Sequence, residues 1–235
     1  MAPKKKQTRP VRSSTVVRTS KISFKDRIIG PIKHPIKFFD KLKSDLKTDF
    51  KFYVFLSIFS LVGLIIFSLS PIIELAYGPL FGGYILLFGP IFWVIGIFSA
   101  FVMAGWYHVW LRVFGGKGSY QDTYAVGVYS EVPAAILFMI PALILMTIGS
   151  FSLTPAAITA GNIDVVGIVV YFIGAILALA GSVWALVLMI IGFHKQHKIS
   201  GGRAFAAWLV SMVIAGIILF VIMFMVVLAA LPSLA

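Results

Sequence analysis

The residue best placed to do chemistry is Glu131, in a polar stretch between two long apolar runs. Nine residues separate it from Asp122, which is about 13 Å along a helix. An ionisable group that far into a membrane helix is costly and is by default a candidate functional residue. His108, Tyr129 and Ser130 are the polar groups that could act with it. A proton or ion relay through Glu131 and His108 is the chemistry that this set would support.

A second interpretation treats Glu131 as structural. Residues 120–130 would form an interfacial helix, and the span would start at Pro133. The 17 residues from Pro133 to Gly149 are just long enough to cross the hydrocarbon. Glu131 would then lie near the headgroups. Both interpretations stay open, and we favour the second.

A glycine-rich turn precedes this stretch, comprising Gly115, Gly116, Lys117, Gly118 and Ser119. It does not match a phosphate-binding loop, because the lysine is followed by glycine and the flanking runs are apolar. The glycines predict a tight turn. Ser119, with Asp122 three residues later, predicts a capping box that starts a helix.

The remaining polar groups do not form a recognisable catalytic or metal-binding pattern. His194 and His197 have a spacing that could place two ligands on one helical face. The chain has no cysteine and no carboxylate close to them in sequence, so a third ligand is lacking. No serine–histidine–aspartate arrangement can be discerned either. We expect no enzyme activity, no cofactor and no metal.

Composition places this chain in the membrane. It has 235 residues, of which 60% are hydrophobic and only 12% charged, against about 25% charged residues in soluble domains. Fifteen of the twenty Lys and Arg lie in residues 1–51 with four acids, which leaves +11 on that segment and +1 on the rest. Any partner that recognises this charge must therefore contact the amino-terminal segment.

That segment divides into two parts. Residues 1–21 are basic and poor in large apolar groups, which predicts disorder. In residues 22–51 the apolar positions recur at helical spacing, which predicts an amphipathic helix on the membrane surface: Ile36, Phe39, Leu42, Leu46 and Phe50. The alternative is a helix that packs on a partner. The basic charge is either a signal for topology or a contact with anionic lipid, and nucleic acid is not expected.

Five apolar runs follow, and each is long enough to span a bilayer. They cover residues 52–70, 84–111, 123–149, 165–193 and 204–231. Basic residues occur only on alternate links, among them Arg112, Lys117 and Arg203. The positive-inside rule then predicts a cytoplasmic amino terminus and an external carboxy terminus. In the fourth run Gly167, Gly174 and Gly181 repeat every seven residues, which predicts close helix packing.

Three motifs in this order resemble the YIP (Ypt/Rab-interacting protein) membrane family, in its prokaryotic type. They are the central stretch from Arg112 to Tyr120 with Tyr129, Ser130 and Pro133 after it, the turn from His197 to Ala204, and His34–Phe39 before the first span. The resemblance covers roughly residues 30–230. It implies five spans with a cytoplasmic amino terminus and, in eukaryotic relatives, vesicle trafficking, Rab GTPase contact and membrane shaping in hetero-oligomers.

The expected protein is therefore an all-α integral membrane protein, a bundle of five transmembrane helices preceded by an amphipathic interfacial helix. Its expected role is non-enzymatic: to organise the membrane or protein partners, alone or in homo- or hetero-oligomers. The short lysine-rich arm has no room for a folded GTPase-binding module, which argues against a Rab-type partner. The alternative is a transporter or channel component that uses the Glu131 and His108 relay.

Overall fold

The computed structural model describes residues 22–68, 80–151 and 164–230, and all regular elements in these ranges are helices. Two short helices come first, α1 (Phe24–Lys33) and α2 (Pro35–Lys41), followed by α3 (Leu46–Ser68) and α4 (Phe81–Val113). Next are α5 (Tyr120–Pro133), a π-helical turn (Ala134–Met139) and α6 (Ile140–Ser150). The last two are α7 (Val165–His197) and α8 (Gly201–Ala230).

Four of the helical segments are long and apolar enough to cross a membrane: Gly83–Val113, Tyr120–Ser150, Val165–His197 and Gly201–Val227. Each carries one of the predicted spans. Their outer surfaces are strongly apolar, with Ile176 66% and Phe220 71% exposed, as lipid-facing surfaces must be. The first predicted span lies in α3, which is not one of the four. Residues 69 and 70 of that span, the arm 1–21, link residues 71–79 and residue 231 lie outside the described ranges.

The π-helical turn joins α5 to α6 between Pro133 and Pro141. Proline has no N–H to donate and its ring crowds the preceding turn of an α-helix. Here the N–H of Ile140 instead bonds to the carbonyl of Ala135, five residues back. The third predicted span therefore continues through both prolines as one helical segment from Tyr120 to Ser150.

The buried core lies at the end of the bundle that holds the two basic turns. Helices α3, α4, α5 and α7 meet there, and α1 and α2 pack against α5 and α7 respectively. Its largest fully buried side chains include Tyr124, Tyr129, Phe39, Phe193 and Leu188. Toward the other end, α6 packs closely on α7. The polar turns are thus held by a compact end of the bundle.

The prediction of one amphipathic helix through Ile36–Phe50 is wrong in detail. Residues 42–45 are not helical, so α2 ends at Lys41 and a new helix begins at Leu46. Phe39 and Leu42 are buried in the bundle core, whereas Ile36 is 52% exposed. A distant side chain satisfies the carbonyls at the break. The Gln196 side chain donates hydrogen bonds to the carbonyls of Phe39 (2.5 Å) and Leu42 (3.2 Å), groups that lack partners at a helix end.

Candidate functional site

The two basic turns contact each other directly. The backbone N–H of Lys117 donates to the carbonyl of His197 at 2.9 Å. A Cβ added to Gly118 would lie 2.9 Å from the Gln196 carbonyl oxygen and 2.9 Å from His197 Nδ1. One added to Gly116 would lie 3.0 Å from His197 Nδ1 and 2.7 Å from the carbonyl oxygen of Leu111 in its own turn. Gly116 and Gly118 are therefore needed because the two turns approach so closely.

Both turns also use left-handed backbone. Gly115 has φ +87° and Lys198, which ends α7, has φ +55°. A guanidinium nitrogen of Arg112 donates to the Gly116 carbonyl at 3.2 Å, which closes the first turn. Arg203 extends to Gly115, where its Nη1 would lie 3.9 Å from an added Cβ. The arginines of both motifs thus lie on one small surface.

The predicted capping box at the start of α5 is present. The Ser119 side chain accepts from the Asp122 N–H at 3.2 Å, and Asp122 accepts from the Ser119 N–H at 2.7 Å. The other Asp122 oxygen accepts a hydrogen bond from the Ser44 hydroxyl at 2.5 Å. Asp122 therefore joins the glycine-rich turn to the segment between α2 and α3.

His108 and His197 share one hydroxyl. Thr123 Oγ1 lies 3.0 Å from His108 Nδ1 and 2.9 Å from His197 Nε2, and the two imidazole rings are 5.7 Å apart. His197 is fully buried, and its Nδ1 has no hydrogen-bond partner among the described residues. The hydrogen bond of His108 is thus with Thr123. The relay hypothesis had paired His108 with Glu131 instead.

His194 is separate from this pair, since its Nδ1 contacts the carbonyl oxygen of Ile199 in its own turn. Within residues 22–68, 80–151 and 164–230, no three His, Asp or Glu side chains are grouped as metal ligands.

A buried ion pair that the sequence did not indicate joins α1 to α3. Arg27 Nη1 is 2.6 Å from Asp49 Oδ1, and the Tyr129 hydroxyl donates to the same oxygen at 2.8 Å. Arg27 also contacts the Tyr129 hydroxyl, and its guanidinium carbon lies 5.5 Å from the Tyr129 ring centre. The N–H of Asp45 donates to the second Asp49 oxygen at 2.9 Å. Asp49 and Tyr129 are fully buried and Arg27 is 8% exposed.

This cluster changes the interpretation of Tyr129, which the sequence placed with Glu131. Tyr129 binds a different carboxylate. Burial raises the pKa of Asp49, while the Asp45 N–H and the Arg27 charge oppose the rise. Nothing in the local pattern distinguished Arg27 and Asp49 from the many other charges of residues 22–51.

Glu131 lies in the last turn of α5 and lines a cavity of about 420 Å³ between α3, α4, α5 and α7. It keeps an exposed surface there. It interacts electrostatically with Tyr53 and Tyr107. No hydrogen bond or ion pair links its carboxylate to another described residue.

The three glycines that repeat every seven residues in α7, Gly167, Gly174 and Gly181, are buried against the α5–α6 segment. A Cβ on Gly174 would lie 2.7 Å from Met146 Cγ, and one on Gly181 would lie 2.6 Å from Phe138 Cβ. The Gly167 carbonyl oxygen would lie 2.5 Å from a Cβ on the facing Gly149. Small residues let these two helices approach closely.

Long apolar helices with exposed apolar surfaces suited to face lipid define a multi-pass helical membrane protein. Within that class, the family model for the Yip1 domain matches residues 29–223, so this chain belongs to the Yip1 domain family. The match covers most of the chain and confirms the family resemblance found in the motifs. Neither the curated proteins nor the solved structures include a significant match.

Proposed function

We propose that this chain is a non-enzymatic, five-span membrane protein that organises lipid or protein partners at its basic, cytoplasmic end. One observation carries the proposal: the polar side chains at that end are bonded to one another. Gln196, Asp122 and Arg27 each connect the amino-terminal segment to the bundle. The Lys195–Asp40 ion pair, at 3.2 Å, adds a surface connection. Because these side chains are engaged in contacts that hold the structure together, we infer a fixed binding surface and not a reactive centre.

The five-span topology is part of the proposal. Helix α3 has 23 residues, about 34 Å of helix, and its apolar part from Phe52 onward would be the first span. The basic turns then lie on the same side as residues 1–51, with residue 164 on the opposite side. The absence of cysteine from the whole chain makes this directly testable.

Single cysteines at Lys33, Lys117 and Val165, all exposed positions, would be treated with a membrane-impermeant maleimide on intact cells. We expect labelling of Val165→Cys, and labelling of Lys33→Cys and Lys117→Cys only after permeabilisation. If Lys33→Cys and Lys117→Cys react from opposite sides, then only one of α3 and α4 crosses the membrane, and the five-span proposal fails.

The proposed lipid partner is an anionic leaflet contacted by residues 1–51, with about 1 kcal/mol for each Lys or Arg near the surface. Removing all of 1–51 would also remove the buried Phe39 and Asp49. Only residues 1–21 should therefore be deleted. The assay measures the clustering of a fluorescent anionic lipid around the reconstituted protein, and energy transfer is the readout.

Deletion of 1–21 removes seven of the fifteen basic residues and is expected to weaken clustering strongly, while Glu131→Gln leaves it intact. Unchanged clustering after the deletion would contradict the lipid proposal. The relay alternative predicts the reverse pattern: a proton or ion flux that Glu131→Gln abolishes and the deletion preserves. Homo-oligomers can be detected in the same preparation by crosslinking, and hetero-oligomers by crosslinking in the native membrane.

A further inference from the structure

The cavity beside Glu131 has the size and lining of a ligand site. Its volume of about 420 Å³ falls within the range of about 300–1,000 Å³ seen for small-molecule pockets. Four helices contribute to it, so it is a feature of the tertiary fold. The lining is mostly apolar with a few polar groups, which is typical of ligand sites.

Glu131 is the one charged residue in the lining. Its carboxylate has no hydrogen bond or ion-pair partner among residues 22–68, 80–151 and 164–230, whereas acids such as Asp49, Asp40, Asp26 and Asp122 each have one. A carboxylate within an apolar helix is costly unless it is paired. A cation inside the cavity would supply the missing partner.

Three tyrosines line the same cavity: Tyr53, Tyr107 and Tyr124. Tyr124 is only 1% exposed, yet its hydroxyl has no hydrogen-bond partner among the described residues. Buried polar groups are normally hydrogen-bonded, so this hydroxyl is a group that a ligand in the cavity could satisfy. Aromatic rings around a carboxylate are the composition that recognises ammonium groups through charge and cation–π contacts.

The rest of the lining suits an apolar chain. Met103, Met139 and Met189 contribute flexible, polarizable side chains, which adapt to irregular apolar ligands. Together with Glu131, they make the cavity amphipathic.

We propose that this cavity binds an alkylammonium group, with Glu131 as its counter-charge and the tyrosines around it. Two sources share this chemistry: the headgroup of an amino phospholipid and a free organic amine. The inference goes beyond the proposed function and does not depend on it, because the proposed anionic lipid would contact basic residues of 1–51, whereas the amine would occupy this cavity.

The test is native mass spectrometry of the full chain in neutral detergent. It would be titrated with phosphatidylethanolamine, with phosphatidylglycerol of the same acyl chains, and with butylammonium. The key variant is Glu131→Gln, which keeps the shape and removes the charge. The matched control is Asp164→Asn, which removes a negative charge at the start of α7 while leaving a residue able to cap.

A second variant tests the cavity itself. Gly127 lines it, and a Cβ there would meet no atom within 4 Å. Gly127→Leu should therefore fill the space, and replacing a helical glycine favours the helix by up to about 1 kcal/mol. A retained melting temperature would show that this variant folds.

We expect Glu131→Gln to weaken phosphatidylethanolamine binding at least about tenfold, roughly 1.4 kcal/mol, with phosphatidylglycerol binding unchanged. Gly127→Leu should abolish it, and Asp164→Asn should have no effect. Butylammonium binding that is equally sensitive to Glu131→Gln would identify a free amine as the ligand. Unchanged ethanolamine-lipid and butylammonium binding in both Glu131→Gln and Gly127→Leu would overturn the assignment. A wild-type protein that binds neither the ethanolamine lipid nor butylammonium would overturn it as well.

Discussion

The buried pair of Arg27 and Asp49 gives the sharpest prediction about how the amino-terminal segment is held. Arg27→Met removes the guanidinium 2.6 Å from Asp49 Oδ1 but leaves the Tyr129 hydroxyl and the Asp45 N–H as donors to that carboxylate. The Asp49 side chain is fully buried and that of Arg27 is 9% exposed, so solvent screens the interaction little. Removing one member of such a pair costs about 3–5 kcal/mol.

The double variant Arg27→Met with Asp49→Asn should lose much less. It leaves no buried charge, and the amide carbonyl introduced at position 49 could still accept from Tyr129. We expect a loss of about 2 kcal/mol, the scale of weakened hydrogen bonds. Asp49→Asn alone leaves the Arg27 charge buried and unpaired and should also cost about 3–5 kcal/mol. The two single losses then exceed the loss of the double variant, and the cycle should give a coupling of about 3 kcal/mol or more.

The assay is unfolding by SDS titration in mixed micelles, followed by fluorescence of the five tryptophans. Two results would refute the reasoning. One is additivity of the variants within about 0.5 kcal/mol. The other is a loss below about 1 kcal/mol for Arg27→Met, the value of an exposed pair.

The pH dependence of Arg27→Met follows from the same cluster. Burial already raises the pKa of Asp49, and loss of the Arg27 charge raises it further. The folded variant then takes up a proton at a higher pH than the unfolded chain does. Its stability is therefore lost as pH rises through the folded pKa and is regained on acidification. The stability difference from wild type should shrink as the pH is lowered toward the ordinary aspartate pKa of about 3.9.

Three further predictions concern the turns and the helix packing. Gly118→Ala should destabilise the protein by about 1–3 kcal/mol, the scale of overpacking, because its Cβ would lie 2.9 Å from His197 Nδ1; an unchanged melting temperature would contradict the close contact of the turns. Ser119→Ala should cost about 1 kcal/mol through loss of the α5 cap, with Ser119→Asp as the capping control in the same thermal assay. Gly174→Leu should separate α7 from Met146 and greatly lower the yield of folded protein, whereas Gly216→Leu, where an added Cβ meets nothing, should be tolerated.

Local chemistry made the turn region predictable. Ser119 and Asp122 are close in sequence, and a capping box needs no distant partner. The tight turn at Gly115 likewise follows from a glycine that accepts positive φ. The need for glycine at position 118 was not predictable, since the groups that crowd it belong to the other turn, near position 197.

The sequence by itself determined that this is a helical membrane protein of the Yip1 domain family. The reason is physical: a backbone in hydrocarbon must satisfy its own hydrogen bonds, so a membrane-spanning apolar run as long as 165–193 forms a helix. Their length and composition are readable without knowing any neighbour.

Only the tertiary structure decided which polar residues meet. Asp49 and Tyr129 are 80 positions apart, and Thr123 and His197 are 74 apart. Periodicity assigns a residue to a helix face but does not say which helix covers that face. For that reason the sequence did not distinguish Asp49 from the other charges of residues 22–51, and it paired His108 with Glu131. Packing instead placed Asp49 against Arg27 and Tyr129, placed His108 against Thr123, and left Glu131 facing an amphipathic cavity.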